Sequence, residues 1–230
     1  MTRLLDGYDV PEYAARGWPF FETAASHYIK HPHLCLNLGS PDAVKALAEF
    51  EGRLRPPEEL QSRGDYESSF APGRLGKLMD KARPPPLVPS EFAERVAPLK
   101  LTNGKDKDVL IELQAKVATT VLSNVEELQY AQMAWGEAEA PLLAKALACC
   151  VRLRTLSLWQ TKLGDAGVAA VVSALPRSAP LASLDLVATG SGDLAAKALA
   201  SALSEGMAVL TSLDLDDNEL GPEGGKAIAE

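Results

Sequence analysis

The stretch LRTLSLWQTKLG (153–164) spaces its leucines in the order L-x-x-L-x-L and continues with x-x-T-x-L. The L-x-x-L-x-L part returns at Leu181 and again at Leu210, so its period is nearly constant. A weaker copy begins at Val125, as far ahead of Leu153 as Leu153 is ahead of Leu181. A template that recurs at a fixed period predicts one structural unit stacked on copies of itself, and such arrays present surface for binding.

Two different periods follow each other inside every unit. The later leucines of the template alternate, as residues on one face of a short β-strand do. Behind a glycine come apolar residues three and four apart, such as Val168, Val171 and Val172, and this spacing predicts one face of a helix. An acid beside the glycine, as in Gly164-Asp165, is typical of a helix start. Each unit is therefore predicted to form a strand, a turn, a helix and a return loop. The glycines of the four units are Gly136, Gly164, Gly192 and Gly221.

The pattern resembles the ribonuclease-inhibitor class of leucine-rich repeats, which also occurs in NOD-like receptors and in the Ran GTPase-activating protein. The resemblance covers about residues 96–230 and implies an α/β fold, a leucine-rich repeat solenoid with a parallel sheet on its concave face. Where the family favours Asn or Cys in the turn, this chain matches strictly only at Asn218, so we expect a weaker turn-stabilising ladder. The residues at that position are Met133, Thr161, Thr189 and Asn218, and the leucines that carry the resemblance are Leu153, Leu156, Leu158, Leu163, Leu181, Leu184, Leu186, Leu210, Leu213, Leu215 and Leu220.

Composition changes along the chain predict further parts. A further apolar pattern begins at Val96, one repeat length ahead of Val125, and continues with Leu99 and Leu101. A helical pattern follows at 108–122. The predicted parts are a small, mostly helical region at 1–54, a Pro/Gly-rich linker at 55–95, a degenerate repeat or cap at 96–124, and four repeats at 125–230, the last of them incomplete. Since open ends of such arrays need a polar cap, we expect either a fragment of a longer protein or a second chain that covers the end.

Charge and cysteine content narrow the classes of partner. The net charge of −8 and a pI near 5.0 do not attract phosphate backbones or anionic lipids, so we expect neither nucleic acid nor membrane as a partner. Cys35, Cys149 and Cys150 are an odd set, unlike the cysteines of a secreted disulfide framework. Since the chain also lacks a signal-peptide core and a long apolar run, we predict a cytoplasmic protein. No cofactor is expected.

Strand residues that point away from the core line the concave face of the predicted sheet. Aspartates gather at one end of this face, and Trp159 lies about two units away. An aromatic side chain beside an acidic patch is typical of a binding anchor, although a solvated face without a binding role shows the same charges. The predicted partner-binding residues are Gln129, Ser157, Trp159, Gln160, Asp185, Asp214, Asp216 and Asp217.

The N-terminal stretch Tyr13–Ile29 has a helical pattern that places Trp18 in a core. Within it, RGWPFFE (16–22) resembles the W-x-x-x-E segment of Toll/interleukin-receptor (TIR) domains, where the glutamate belongs to an NAD-cleaving site. The resemblance extends over residues 13–38 and would make Glu22 the only catalytic residue. The residues upstream leave no room for the nucleotide-binding strand and loop of such a domain. We therefore expect Glu22 to be solvated or paired with Arg16.

These patterns predict a non-catalytic protein-interaction module that binds a basic partner protein through its concave face. Two alternatives stay open: the C-terminal sensor array of a TIR-like NAD hydrolase or signalling protein, present only as a fragment, or a regulator of a small GTPase. No metal site is predicted. His27 and His31 are separated by one helical turn, but no cysteine or carboxylate cluster accompanies them.

Overall fold

The computed structural model describes residues 16–26, 28, 83–99, 101, 105–207 and 209–229. Within these ranges three helices precede four strands that alternate with four helices. In the same ranges, no helix combines the length and the apolar character that crossing a bilayer requires. In chain order the elements are α1 (Gly17–Ser26), α2 (Pro89–Val96), α3 (Asp106–Asn124), β1 (Glu127–Gln129), α4 (Ala140–Leu147), β2 (Thr155–Ser157), α5 (Gly164–Ala174), β3 (Ser183–Asp185), α6 (Asp193–Glu205), β4 (Ser212–Asp214) and α7 (Pro222–Ala229).

The four strands form one parallel sheet in the order β1-β2-β3-β4. Parallel strands need a long crossover connection, and the helix of each unit supplies it. The alternation of strand and helix predicted for the units is therefore confirmed. Units 1 to 4 are the segments that begin at Val125, Leu153, Leu181 and Leu210. The middle leucines of the four strands, paired in register, are Leu128, Leu156, Leu184 and Leu213.

The helices α4 to α7 pack side by side, each against the next, and α4, α5 and α6 share one core with the strand leucines. Leu156 and Leu184 are 0 % and 1 % exposed in this core. Small residues set the distance between the helices. A Cβ on Gly167 of α5 would lie 3.1 Å from Ala140 Cβ of α4, so a larger residue would push the two helices apart.

Units 2 and 3 each cap the helix of the unit that follows. The carboxylate of Asp165, in the first turn of α5, accepts the backbone N–H groups of Gly192, Leu194 and Ala195 at 2.8, 3.1 and 2.7 Å. These N–H groups lie at the start of α6, where a helix has no internal acceptors for them. Burial raises the pKa of Asp165, but the three N–H groups together outweigh it and lower the pKa below its ordinary value.

The same contact recurs in the next unit. Asp193 accepts the N–H groups of Gly221 and Gly224, both at 2.9 Å, at the start of α7. In unit 1 the equivalent residue is Glu137, and a Cβ on Gly164 would lie 2.6 Å from its Oε1. We call the contacts of Asp165 and Asp193 the carboxylate ladder. An acid beside the glycine was predicted to favour its own helix, but its carboxylate binds the N–H groups of the next one.

The side chains at the turn position, where the family favours Asn or Cys, differ in whether they bond within their own unit or across the unit boundary. The hydroxyls of Thr161 and Thr189 donate to carbonyls three residues earlier in their own units. The amide of Asn218 donates across the unit boundary to the Leu186 carbonyl at 2.7 Å and accepts the N–H of Ser191 at 2.9 Å. Asn218 therefore joins unit 4 to unit 3 through its side chain.

The helices that precede the repeats enclose a second, smaller core. Phe92 of α2 and Leu110 of α3 are fully buried in it, and Ala24 of α1 is 5 % exposed. Trp18 is 42 % exposed, and its indole N–H contacts the Asp106 carboxylate at 3.5 Å. The prediction that Trp18 lies in a core is therefore wrong. The buried side of α1 carries Ala24, and Tyr28 follows it at helical spacing.

Several N-terminal predictions meet the structure only in part. Residues up to 82 of the predicted linker 55–95 lie outside the described residues, but residues 83–88 are buried or half-buried and α2 begins at Pro89. In the predicted repeat or cap at 96–124, Val96, Leu99 and Leu101 form no strand, whereas α3 covers the predicted helix. Also outside the described residues lie His27, His31, Cys35 and the part of the TIR-like segment that follows Tyr28.

A buried polar joint connects the N-terminal helices to unit 1. The Leu87 carbonyl accepts hydrogen bonds from the Tyr28 hydroxyl at 2.7 Å and from the Gln114 amide at 2.8 Å. The Tyr130 hydroxyl donates to the Tyr28 carbonyl at 2.7 Å. Buried carbonyls need such partners because water does not reach them. Burial raises the pKa of Tyr28 to about 12 and also raises the pKa of Tyr130.

Gly192→Ala is expected to lower the free energy of unfolding by about 1–3 kcal/mol. A Cβ at this position would lie 2.8 Å from Asp165 Oδ2 and would displace the carboxylate from its N–H partners. Gly225, in α7, has no atom within 4 Å of its Cβ position and is the matched control. Gly225→Ala should raise the free energy of unfolding by up to about 1 kcal/mol. Urea unfolding followed by circular dichroism measures both, and equal effects would contradict the ladder.

Tyr130→Phe is expected to cost about 1–3 kcal/mol at neutral pH, because it leaves the buried Tyr28 carbonyl without its donor. The contribution of the buried tyrosines to the free energy of unfolding should be complete below pH 10 and should decrease as the pH rises towards 12. Over this range only the unfolded chain releases the tyrosine protons. Urea unfolding between pH 8 and pH 11 should show a shallower loss for Tyr130→Phe. Ser204→Ala, which removes an exposed hydroxyl bonded to the Ser201 carbonyl, should leave the slope unchanged.

Candidate interaction surface

Residues on both sides of each middle leucine point away from the helices, because side chains alternate along a strand. Two rows of residues result, and we call them together the polar sheet face. Only the row after the leucine contains predicted partner-binding residues, although the same alternation along the strand indicates both rows. The first row is Gln129, Ser157, Asp185 and Asp214, and the second is Glu127, Thr155, Ser183 and Ser212.

The chain turns behind each strand through a residue in the left-handed conformation. Such a residue redirects the backbone within one step, at a strain cost for any residue with a Cβ. Gln160 and Asp217, both predicted to bind the partner, occupy this position and are exposed. The four residues and their φ angles are Gln132 (60°), Gln160 (55°), Ala188 (53°) and Asp217 (56°).

Ser157, a predicted partner-binding residue, is nearly buried and offers little surface for direct contact. Its side chain is 2 % exposed because it is shorter than those of Gln129 and Asp185 on either side of it. The Ser157 hydroxyl donates to Asp185 Oδ2 at 2.7 Å, and Asp185 Oδ1 accepts the Val187 N–H at 3.2 Å. Ser157 therefore orients a carboxylate on the face instead of forming part of it.

Trp159, a predicted partner-binding residue, is half-buried. Its backbone is held by the sheet, since its carbonyl accepts the Gln132 N–H at 2.6 Å. A tryptophan that is fixed in place and still partly accessible loses little conformational entropy when a partner covers it. Trp159 is therefore only partly accessible, and it lies beside the polar sheet face.

The C-terminal end of the face is acidic. Asp214, Asp216 and Asp217 are all exposed, and we call these three residues the acidic end. Asp214 Oδ1 accepts the Asp216 N–H at 3.1 Å, which turns the chain and holds the Asp214 side chain. Asp185 lies in register with Asp214 on the neighbouring strand, so a fourth carboxylate adjoins this end. Strands in a sheet are about 4.8 Å apart, well inside the distance over which salt screens charges.

The chemistry of this surface suits the recognition of cationic side chains. Carboxylates accept charge-assisted hydrogen bonds from Lys and Arg, and Arg binds them through two N–H groups at once. Across the ranges that the structure describes, no three His, Cys, Asp or Glu side chains are placed to hold a metal ion. Glu22, the residue of the TIR resemblance, lies exposed on α1 and belongs to no part of this surface.

A comparison with protein families gives one match within the repeats. A family model described as Leucine Rich repeat matches residues 207–229, which contain β4 and α7. A search of curated proteins finds no match. Leucine-rich repeats generally act as protein-interaction modules and are typically not catalytic. Unit 4 is therefore similar to a leucine-rich repeat, and this similarity indicates a module for protein interaction.

Proposed function

We propose that this protein is a non-catalytic, cytoplasmic interaction module that binds a basic partner protein through the polar sheet face. In this proposal the units form a solenoid of the ribonuclease-inhibitor-like class, and the polar sheet face is its concave surface. The observation that carries the proposal is the register of the parallel sheet. It aligns Asp185 with Asp214 and continues into exposed Asp216 and Asp217.

Electrostatics supports a basic partner. Opposite charges across an interface speed association and select the partner, and they act most strongly where several like charges stand together. The acidic end supplies exposed carboxylates, whereas Trp159 offers apolar area nearer the middle of the sheet. Such a surface would hold a partner by a central aromatic contact and orient it by charge at one end.

The helices ahead of unit 1 support a stable array. We propose that residues 96–124 act as a cap on the first repeat, with residues 125–230 as the repeats. Ala118 and Leu122 of α3 share a core cluster with Leu128 of unit 1. A covered end keeps the first strand from pairing with other chains, which leaves the polar sheet face as the surface for binding.

The test is a comparative pull-down from a native lysate, followed by mass spectrometry. Asp214→Lys combined with Asp216→Lys reverses two exposed charges and is expected to weaken partner retention at least about tenfold. Retention by the unchanged chain should also fall as salt is raised, because exposed charges are screened. Circular dichroism of each bait confirms that the fold is kept.

Glu94→Lys combined with Asp108→Lys is the matched control, since both residues are exposed on α2 and α3 away from the sheet. Either double variant changes the net charge from −8 to −4, because two acids become two bases. Proteins kept by the control and lost by the sheet-face variant support the proposal. If both variants lose the same proteins, total charge and not this surface governs binding, and the proposal is wrong.

A further inference from the structure

Asp185 presents a fixed carboxylate on the polar sheet face. Its Oδ2 atom accepts the Ser157 hydroxyl at 2.7 Å, and its Oδ1 atom accepts the Val187 N–H at 3.2 Å. An ionised carboxylate has about four acceptor positions, two on each oxygen, so each oxygen of Asp185 keeps one for a ligand. Among the residues that the structure describes, no Lys or Arg lies within ion-pair distance of this carboxylate. Asp185 is therefore oriented but not neutralised.

An apolar strip lies beside this carboxylate. Trp159 and Val187 form it, since they occupy the same position in units 2 and 3 and both are half-buried. The two units stay paired here, because the Gln160 N–H donates to the Val187 carbonyl at 2.9 Å. Within the described ranges, neither an aromatic ring nor a cation stacks on the Trp159 ring. The accessible part of the indole is therefore open to a ligand.

One acceptor position on each oxygen of Asp185 suits a planar ligand with two parallel donors. Arginine is such a ligand, because its guanidinium offers a fork of N–H groups that matches both oxygens of one carboxylate. Its aliphatic stem lies readily on apolar surface, and its guanidinium stacks on aromatic rings. Lysine has a compact and strongly hydrated ammonium, which does not match both oxygens and loses more hydration at a half-buried position.

We propose that Asp185 and Trp159 form an arginine-binding site on the polar sheet face, with Ser157 as its positioning residue. An arginine of the partner protein binds both oxygens of Asp185 and stacks on Trp159, and its stem lies along Val187. The acidic end attracts lysine and arginine alike, because its side chains are exposed. This inference rests on the proposed function and adds to it the side chain that the face selects.

The test compares two short blocked peptides, one with a central arginine and one with a central lysine among alanine and glycine residues. Each peptide is titrated into the full chain, and binding is followed by NMR through the Trp159 indole N–H and the Val187 backbone N–H. The arginine peptide is expected to bind at least about tenfold more tightly than the lysine peptide, because only the guanidinium uses both oxygens of Asp185. This comparison requires no substitution, so the stability of a variant does not affect it.

Ser157→Ala tests the positioning role, because it removes the donor that orients Asp185 and keeps the charge. In this variant the ratio of the two peptide affinities is expected to fall at least about threefold. Ser183→Ala is the matched control, since it makes the same change at a half-buried serine in the other row of the face. It should leave the ratio unchanged.

The outcomes separate this site from the proposed function. Equal affinity for the two peptides, lowered alike by Asp214→Lys combined with Asp216→Lys, would overturn the arginine site and leave the proposed function standing. An arginine preference that Ser157→Ala does not change would overturn the positioning role. If neither peptide shifts the Trp159 indole N–H, the site is also overturned, whereas the proposed function is decided separately by the lysate pull-down.

Discussion

Burial of the strand leucines depends on a neighbour on each side, and the rest of the structure depends on that burial. Leu156 and Leu184 lie between two units and are excluded from water, whereas Leu213 has one neighbouring unit among the described residues and is partly exposed there. Leu128 also has one neighbouring unit, yet it is only 2 % exposed because α3 and Tyr28 share its core. Contacts with these N-terminal residues therefore keep Leu128 buried, and stability is distributed over the contacts between neighbours.

Hydrophobic burial alone would permit neighbouring units to slide along each other. Directional contacts, the carboxylate ladder and the backbone pairing of the strands, prevent this movement. The carboxylate ladder requires Asp165 to face the start of α6, and the strand register requires Leu156 to face Leu184. These two constraints lie on opposite sides of each unit, one at the helix and one at the strand. Because both must be met together, the polar sheet face is held in a defined geometry, which would reduce the entropy cost of the association proposed above.

Much of the repeat region could be predicted from sequence, because local periodicity decides strand and helix positions there. The burial of Ser157 could not, since it depends on the lengths of side chains on neighbouring strands. The burial of Trp18 was predicted wrongly because spacings of three and four residues do not decide which face of a short apolar helix is buried. The proline-rich stretch before α2 has the composition of a linker, but its packing depends on Tyr28, which lies far upstream of Leu87 in the sequence and donates to its carbonyl.

The carboxylate ladder also bears on how the gene for this array can change. An acid and the glycine that makes room for it recur at the same place in successive units, because Glu137, Asp165 and Asp193 are equally spaced along the sequence. Loss or duplication of one whole unit by recombination would again set an acid against a glycine, whereas a deletion of any other length would separate them. Copy number can therefore change between units 1 and 4 without new compensating mutations, but a copy inserted after Pro222 would need an acid at that position first.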